Sequence, residues 1–437
     1  MRVRGGRQSA GELRKVRKEA EELGVRGASA LGNFAAKADK FKAFGRKMTL
    51  YATVPLALAA GGAIQAAVDY ESAFAGVRKT VSASEPQLQS LSNTLRTMST
   101  EIPVSAGELA GLAEAAGQLG IKTKNIEGFV RTMADLGVAT NMSGEDAASQ
   151  LARFANITKM SQNDFDRLGS TIVALGNNMA TTESEIVSMG MRIAGAGSQV
   201  GMSEAQIMSF AAGLSSVGIE AEAGGTAIST AFLKMMSASK GGGDALGEFA
   251  KIAGMSGDDF AKAFEQNAGG AMIKFMEGLQ GIKKDGGDVS KALKDVGLGG
   301  IRATDVMLRT SGAGDLMREA LGLGTEAWRE NTALTKEAEE RYKTFESRLQ
   351  IFKNKLNDIA ITLGTALLPT LTVLLEKGEG MLSWLQNTDP TMQKVIIGTV
   401  ILAAALGPLA WVLGAVMSAG ATYLRVMVGM KKGMDAV

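Results

Sequence analysis

The chain has 437 residues and a formal net charge of +2, with 55 Gly and 24 Met but only 5% aromatic residues, and it has neither Cys nor His. Without those two residue types there is no disulfide, no zinc site of the usual ligands, no Cys or His nucleophile and no imidazole general base, which removes most hydrolase mechanisms. Small and adaptable side chains suit close helix-to-helix contact better than a β-sandwich or an aromatic-lined pocket. We therefore expect an all-α protein, elongated and multi-helical, with two or three domains allowed by its length.

Residues 1–47 carry 13 Lys/Arg against 5 Asp/Glu, a net +8, which leaves the remainder at 34 against 40, a net −6. The basic residues are interleaved with Glu12, Glu19, Glu21 and Glu22 at helical spacing. This predicts a solvated, basic amphipathic helix rather than a DNA or lipid contact. The arm is too long for the n-region of a secretory signal, despite the Ala57-Leu58-Ala59 beyond it. Residues 48–68 are uncharged and predict an apolar helix, although Tyr51, Pro55 and Gln65 weaken it as a membrane span.

From 69 to 330 one device recurs. A Ser or Thr is followed three residues later by an acid or amide at Ser105/Glu108, Ser143/Asp146, Ser161/Asp164, Thr182/Glu185, Ser203/Gln206 and Ser256/Asp259. This is the spacing at which side chains satisfy the orphan amides of a helix start. Apolar-Gly pairs at Gly120, Gly137, Gly201, Gly218 and Gly297 read as helix ends, where Gly takes the left-handed conformation. The segment is thus a core of short capped helices with tight turns, without strand alternation. The Gly-rich stretches 237–244 and 281–288 read as loops. Gly120 to Gly137 and Gly201 to Gly218 are each 17 apart, but the period does not extend, so a regular solenoid is not expected.

Residues 331–368 change pattern. Ala338, Tyr342, Phe345, Leu349, Phe352, Leu356, Ile359, Leu363 and Ala366 alternate spacings of four and three, which predicts one long heptad helix with all nine on one stripe. A seam that narrow predicts self-association through Tyr342, Phe345, Leu349, Phe352, Leu356, Ile359 and Leu363, or packing on the chain's own helices. Pro369 should kink or stop the helix. Residues 369–437 form a hydrophobic helical segment in which 395–424 holds no charge and exceeds the roughly 20 apolar residues a bilayer core requires. Pro408 predicts a kink there, and Ala403-xxx-Gly407 and Gly414-xxx-Ser418 offer small faces. Both apolar segments either insert into a membrane or pack against each other or partner chains.

Signals for chemistry are weak. Ser237-x-x-Lys240 has a nucleophile-base spacing but none of its partner motifs, and Gly195-x-Gly197-x-x-x-Gly201 misses the dinucleotide spacing and reads as a helix end. Glu220 with Glu222, or Asp258 with Asp259, could form the carboxylate pair a glycan hydrolase needs, yet acids near helix starts are expected anyway. We expect no catalytic residue, no metal, no cofactor and no small-molecule substrate. A peptidoglycan hydrolase is the minor enzymatic alternative, and a holin-like or pore-forming membrane protein is the other.

The ordered motifs Asp69-Tyr70-Glu71-Ser72-Ala73-Phe74, Ile102-Pro103-Val104-Ser105, Leu112-Ala113-Glu114-Ala115-Ala116-Gly117-Gln118-Leu119-Gly120-Ile121 and Gly218-Ile219-Glu220-Ala221-Glu222-Ala223-Gly224-Gly225-Thr226-Ala227 resemble the core region of phage tail tape measure proteins. The heptad helix ending at Leu367-Leu368-Pro369 and the block containing Leu406-Gly407-Pro408-Leu409 are similar to the segments C-terminal to that core in the family. The resemblance covers roughly residues 40–420. It implies a virion structural protein in the lumen of the tail tube, trimeric or hexameric, that sets tail length and leaves through the tip at infection. The implied partners are the tail tube protein, tail assembly chaperones in the host cytoplasm, tail tip proteins, the host membrane during ejection, and phage DNA in transit. Members are often much longer, so this chain, stopping at Val437, reads as a short form, a fragment or a processed form.

Overall fold

The computed structural model describes residues 54–386, and every described regular element is helical. In chain order these are α1 (Val54–Thr80), α2 (Glu85–Ser99), α3 (Ala106–Gln118), a 3₁₀ turn (Thr123–Asn125), α4 (Ile126–Ala139), α5 (Gly144–Thr158), α6 (Phe165–Asn178), α7 (Glu183–Gln199) and α8 (Glu204–Ser216). The chain continues with α9 (Ala221–Gly241), α10 (Gly243–Ile252), α11 (Gly257–Gln266), α12 (Ala268–Lys284), α13 (Val289–Asp295), α14 (Ile301–Ser311), α15 (Gly314–Glu330), α16 (Ala333–Tyr342) and α17 (Phe345–Gln386). Gln65–Thr362 form one compact unit, while 54–64 and 363–386 are the described parts of a second.

Many of the helices are short because the sequence punctuates their ends. Ser105, Thr182 and Ser203 make reciprocal capping boxes with Glu108, Glu185 and Gln206, and the Ser143 and Ser256 hydroxyls accept from the amides of Asp146 and Asp259. Ser161 departs from this pattern. Its carbonyl accepts from the Asp164 amide in a turn, and α6 starts only at Phe165 with Asp164 as its cap. Gly120, Gly201, Gly218 and Gly297 have φ between +73° and +82°. The amide of the next residue in each case bonds back to the last turn of the helix, as in Ile121 N to Ala116 O at 2.9 Å and Met202 N to Gly197 O at 2.9 Å. That same residue is an apolar plug: Ile121, Met202, Ile219 and Leu298 are all buried. Gly201-Met202-Ser203 therefore closes one helix, fills the core and opens the next in three residues.

Gly137 differs, because it lies inside α4, where a Cβ would fall 2.9 Å from the Gly144 amide nitrogen. It permits the approach of α5 rather than ending a helix. The stretches expected as loops are so only in part: 237–241 completes α9 and 281–284 completes α12, while 285–288 form the connection to α13. Gly242 and Gly243, both with positive φ, compress the first connection to a single kink.

Within the unit, α7 packs on α5, α8 and α9; α15 lies on α6 and α8; and α16 lies on α4 and α6. The later helices form a second layer through α9 with α14, α12 with α14, and α10 with α11. Edge-on ring pairs, Phe129 with Phe165 at 4.8 Å and Phe210 with Phe232 at 5.6 Å, link α4 to α6 and α8 to α9. Three further contacts are between Gly notches and thioethers. Met208 covers Gly190, Met317 covers Gly213, and Met189 lies over Gly224.

The apolar stretch 48–68 is described from Val54, where it forms the first part of α1 and runs on into Asp69, Glu71, Arg78 and Lys79. Among the described residues no helix is long and apolar enough to cross a membrane, so the membrane-inserting alternative for 48–68 does not fit its described part, 54–68. Residues 1–47 and 395–424 lie outside the described residues.

At Gly278 in α12 an added Cβ would overlap the Ile252 carbonyl oxygen at the end of α10. Because backbone cannot yield as a side-chain tip can, Gly278→Ala should destabilise the unit by about 1–3 kcal/mol. Thermal unfolding followed by circular dichroism checks this, with Gly247→Ala, which meets open space inside α10 and should stabilise by about 0.5–1 kcal/mol, as the control.

Candidate interaction surface

The heptad stripe does not lie on one helix. Lys343 and Thr344 interrupt it, and the Thr344 hydroxyl accepts from the Ser347 amide at 3.3 Å as α17 begins. Thr344-x-x-Ser347 is the start signal that the heptad reading passed over, because a hydroxyl stands where an acid or amide is usual. Pro369 lies inside α17, which continues to Gln386 rather than stopping.

On the α16 side of the break the stripe is used internally. Ala338 and Leu334 are buried against α4 and α6. The half-buried Tyr342 donates its hydroxyl to Asp135, which also accepts from Arg131 Nε at 3.1 Å. Upstream, Asn331 takes a left-handed conformation (φ 52°), accepts from the Ser170 hydroxyl at 3.1 Å and donates to Asp166 at 2.5 Å. Two polar anchors thus hold α16 at both ends.

Beyond the break the stripe turns outward. Phe345 is 82% exposed, Phe352 and Ile359 are 57%, Leu356 is 52% and Leu349 is 41%, and Leu363 is also exposed. The face turned to the unit is the opposite one, about 200° around the helix at 100° per residue. Asn354, 5% exposed, donates to the carbonyls of Ser99 (2.9 Å), Ile102 (3.2 Å) and Val104 (2.9 Å), and accepts from Gln350 at 3.0 Å. One turn on, Asp358 receives Arg96 Nε at 2.7 Å, the Asp358 carbonyl receives Arg96 Nη2 at 3.0 Å, and Arg96 also reaches Thr362. Ile361 is buried between these polar ties.

The carbonyls that Asn354 gathers belong to the last residue of α2 and to its connection to α3, which contains Ile102-Pro103-Val104-Ser105. Pro103 has no amide to donate, so this connection cannot pair its own carbonyls in a regular way. The side-chain amide does it instead. Periodicity could not find Asn354, because its role depends on a segment about 250 residues away.

The other sequence candidates fall apart as sites. Ser237 and Lys240 are exposed on the last turns of α9; Glu220 caps the start of that helix and Glu222 lies in its first turn. Asp258 and Asp259 lie in the first turn of α11 beside the Ser256 cap. Gly195 and Gly197 belong to the end of α7 and Gly201 closes it, as a helix end requires. Among the described residues no group of three His, Cys, Asp or Glu could hold a metal ion. An open groove of about 350 Å³ is lined by Glu185 and Glu220, but Glu185 is committed to the Thr182 cap, whose amide holds its carboxyl below the usual range.

Burial pushes the Asp135 carboxyl up, against the opposing pull of Tyr342 and Arg131. A raised folded-state value means that the native state holds the proton more tightly than the unfolded chain. The associated stability is complete below the ordinary carboxylate range and is lost as pH rises through the folded value. Asp135→Asn keeps acceptors for Tyr342 and Arg131 without an ionisable group. The expected outcome is a melting temperature that falls less than the parent's as pH rises above about 4.

The motifs that carry the tape measure resemblance are packing devices here. Tyr70 donates to the Ser92 carbonyl at 3.0 Å and stacks with Phe74 at 6.0 Å, Gly218 closes α8, and Gly225 admits Arg192 of α7 against α9. No curated protein and no solved structure matches the chain. Residues 92–297, which run from α2 to the end of α13, match the family model described as Phage-related minor tail protein, and this supports a phage tail protein family with a structural role in the virion tail.

Proposed function

We propose that the protein is a tail tape measure protein: a non-enzymatic chain in the lumen of the phage tail tube that sets tube length during assembly. The match over 92–297 carries the tail assignment, and the ordered motifs from Asp69 to Ala227 support the finer reading. In this account the tail tube protein assembles around the chain with the help of assembly chaperones, and tail tip proteins hold one end. At infection the chain leaves ahead of the DNA. The uncharged stretch 395–424 is the segment suited to meet the host membrane at that step.

A ruler must transmit its own length. The unit Gln65–Thr362 is folded through contacts distant in sequence and cannot lengthen by simple insertion, whereas α17 is one continuous helix. A second copy of residues 345–365, inserted after Thr365, preserves the helical phase and adds three heptads. At 1.5 Å per residue this should lengthen the tail by about 32 Å in electron micrographs. Intact tails of unchanged length would remove the measuring role and leave a structural role without it.

A further inference from the structure

We propose that the outward stripe Phe345, Leu349, Phe352, Leu356 and Ile359 of α17 is a docking face for an amphipathic helix of another protein that carries acidic residues beside its own apolar seam. All five side chains are large, apolar and exposed, and contiguous exposed apolar surface of this kind marks an interaction site. The helix is held by its other face, through Asn354, Asp358 and Ile361, so the stripe is presented in a fixed orientation. No other helix shares a broad packing face with α17 among the described residues.

The spacing identifies the occupant as a helix. A seam of two apolar positions per heptad is the width that one neighbouring helix covers, narrower than the face a helix presents when it lies on a bilayer. With Leu349 and Leu356 at one seam position and Phe345, Phe352 and Ile359 at the other, the flanks hold Arg348, Lys353 and Lys355 against Glu346. The three cations are exposed and in no ion pair among the described residues.

These flanks select the partner's charge. In a parallel in-register pair of copies, Arg348 of one would fall beside Lys353 of the other. In an antiparallel pair centred on Asn354, Lys353 would face Lys353 and Lys355 would face Lys355. The segments of this chain outside the described residues offer no better match. Residues 1–53 are net +8, and 387–437 are net +2, with Lys394, Arg425, Lys431 and Lys432 against Asp389 and Asp435. A helix with Glu beside its seam meets all three cations with opposite charge.

The test uses the full-length chain and two synthetic four-heptad peptides with Leu at the seam, one with Glu and one with Lys at the flanks, read by fluorescence anisotropy. The Glu peptide should bind about tenfold tighter or more, since like-charge juxtaposition costs at least 1.4 kcal/mol. Phe352→Asp should abolish binding, and the pair Lys353→Glu with Lys355→Glu should reverse the preference. Melting curves check that these exposed substitutions leave the fold intact. Equal affinity for both peptides, binding of neither, or binding that survives Phe352→Asp would overturn the proposal. So would a multimer in sedimentation that Phe352→Asp dissociates, which would assign the face to a second copy. Flotation with anionic vesicles that Phe352→Asp abolishes would likewise assign it to a membrane.

Discussion

The orientation of α17 depends on one buried amide. Asn354 faces three carbonyls at the end of α2 and in its connection to α3, a segment interrupted by Pro103. A buried carbonyl left without a donor costs about 1–3 kcal/mol, so this face has a strong claim on the inside. Arg96 adds a second tie one turn later. The apolar seam on the other side gains only what a partner supplies. Backbone hydrogen-bond demand therefore outranks the heptad pattern in deciding which way the helix turns, and the exposed stripe is the consequence.

Elsewhere the body combines a core of buried Phe, Leu and Ile with close approach at glycines. Gly190, Gly213, Gly224 and Gly278 bring helix backbones near one another, and Met189, Met208 and Met317 fill three of the notches with flexible thioethers. The abundance of Gly and Met in the composition is the sequence record of this packing. The same motifs that carry the resemblance to tail proteins are its joints: Gly218 closes α8, Ile219 plugs the core and Gly225 admits α7. The family match over 92–297 thus takes in residues that pack the helical body.

Most local signals were readable where a short range decides the outcome, Ser161 and Thr344 being the exceptions. The capping boxes at Ser105, Thr182 and Ser203 and the closing glycines at 120, 201, 218 and 297 depend on residues within six positions of each other. Readings failed where distant contacts decide. Gly137 looks like a helix end but answers to Gly144 on the next helix, and Tyr342 looks like a seam residue but answers to Asp135 about 200 residues earlier. For the stripe, periodicity revealed which residues share a face of α17. It could not reveal that Asn354, Asp358 and Ile361 on the opposite face are the ones the body claims.

Because the chain has no native Cys, single cysteines report directly on that orientation. The measurement is the rate of maleimide labelling of the full-length protein carrying Phe352→Cys or Ile361→Cys, each native and in denaturant. The account predicts labelling of the native Phe352→Cys protein close to its denatured rate, with Ile361→Cys reacting only on unfolding. Rapid labelling at 361 with protection at 352 would show that the apolar seam, not the polar clamp, faces the body.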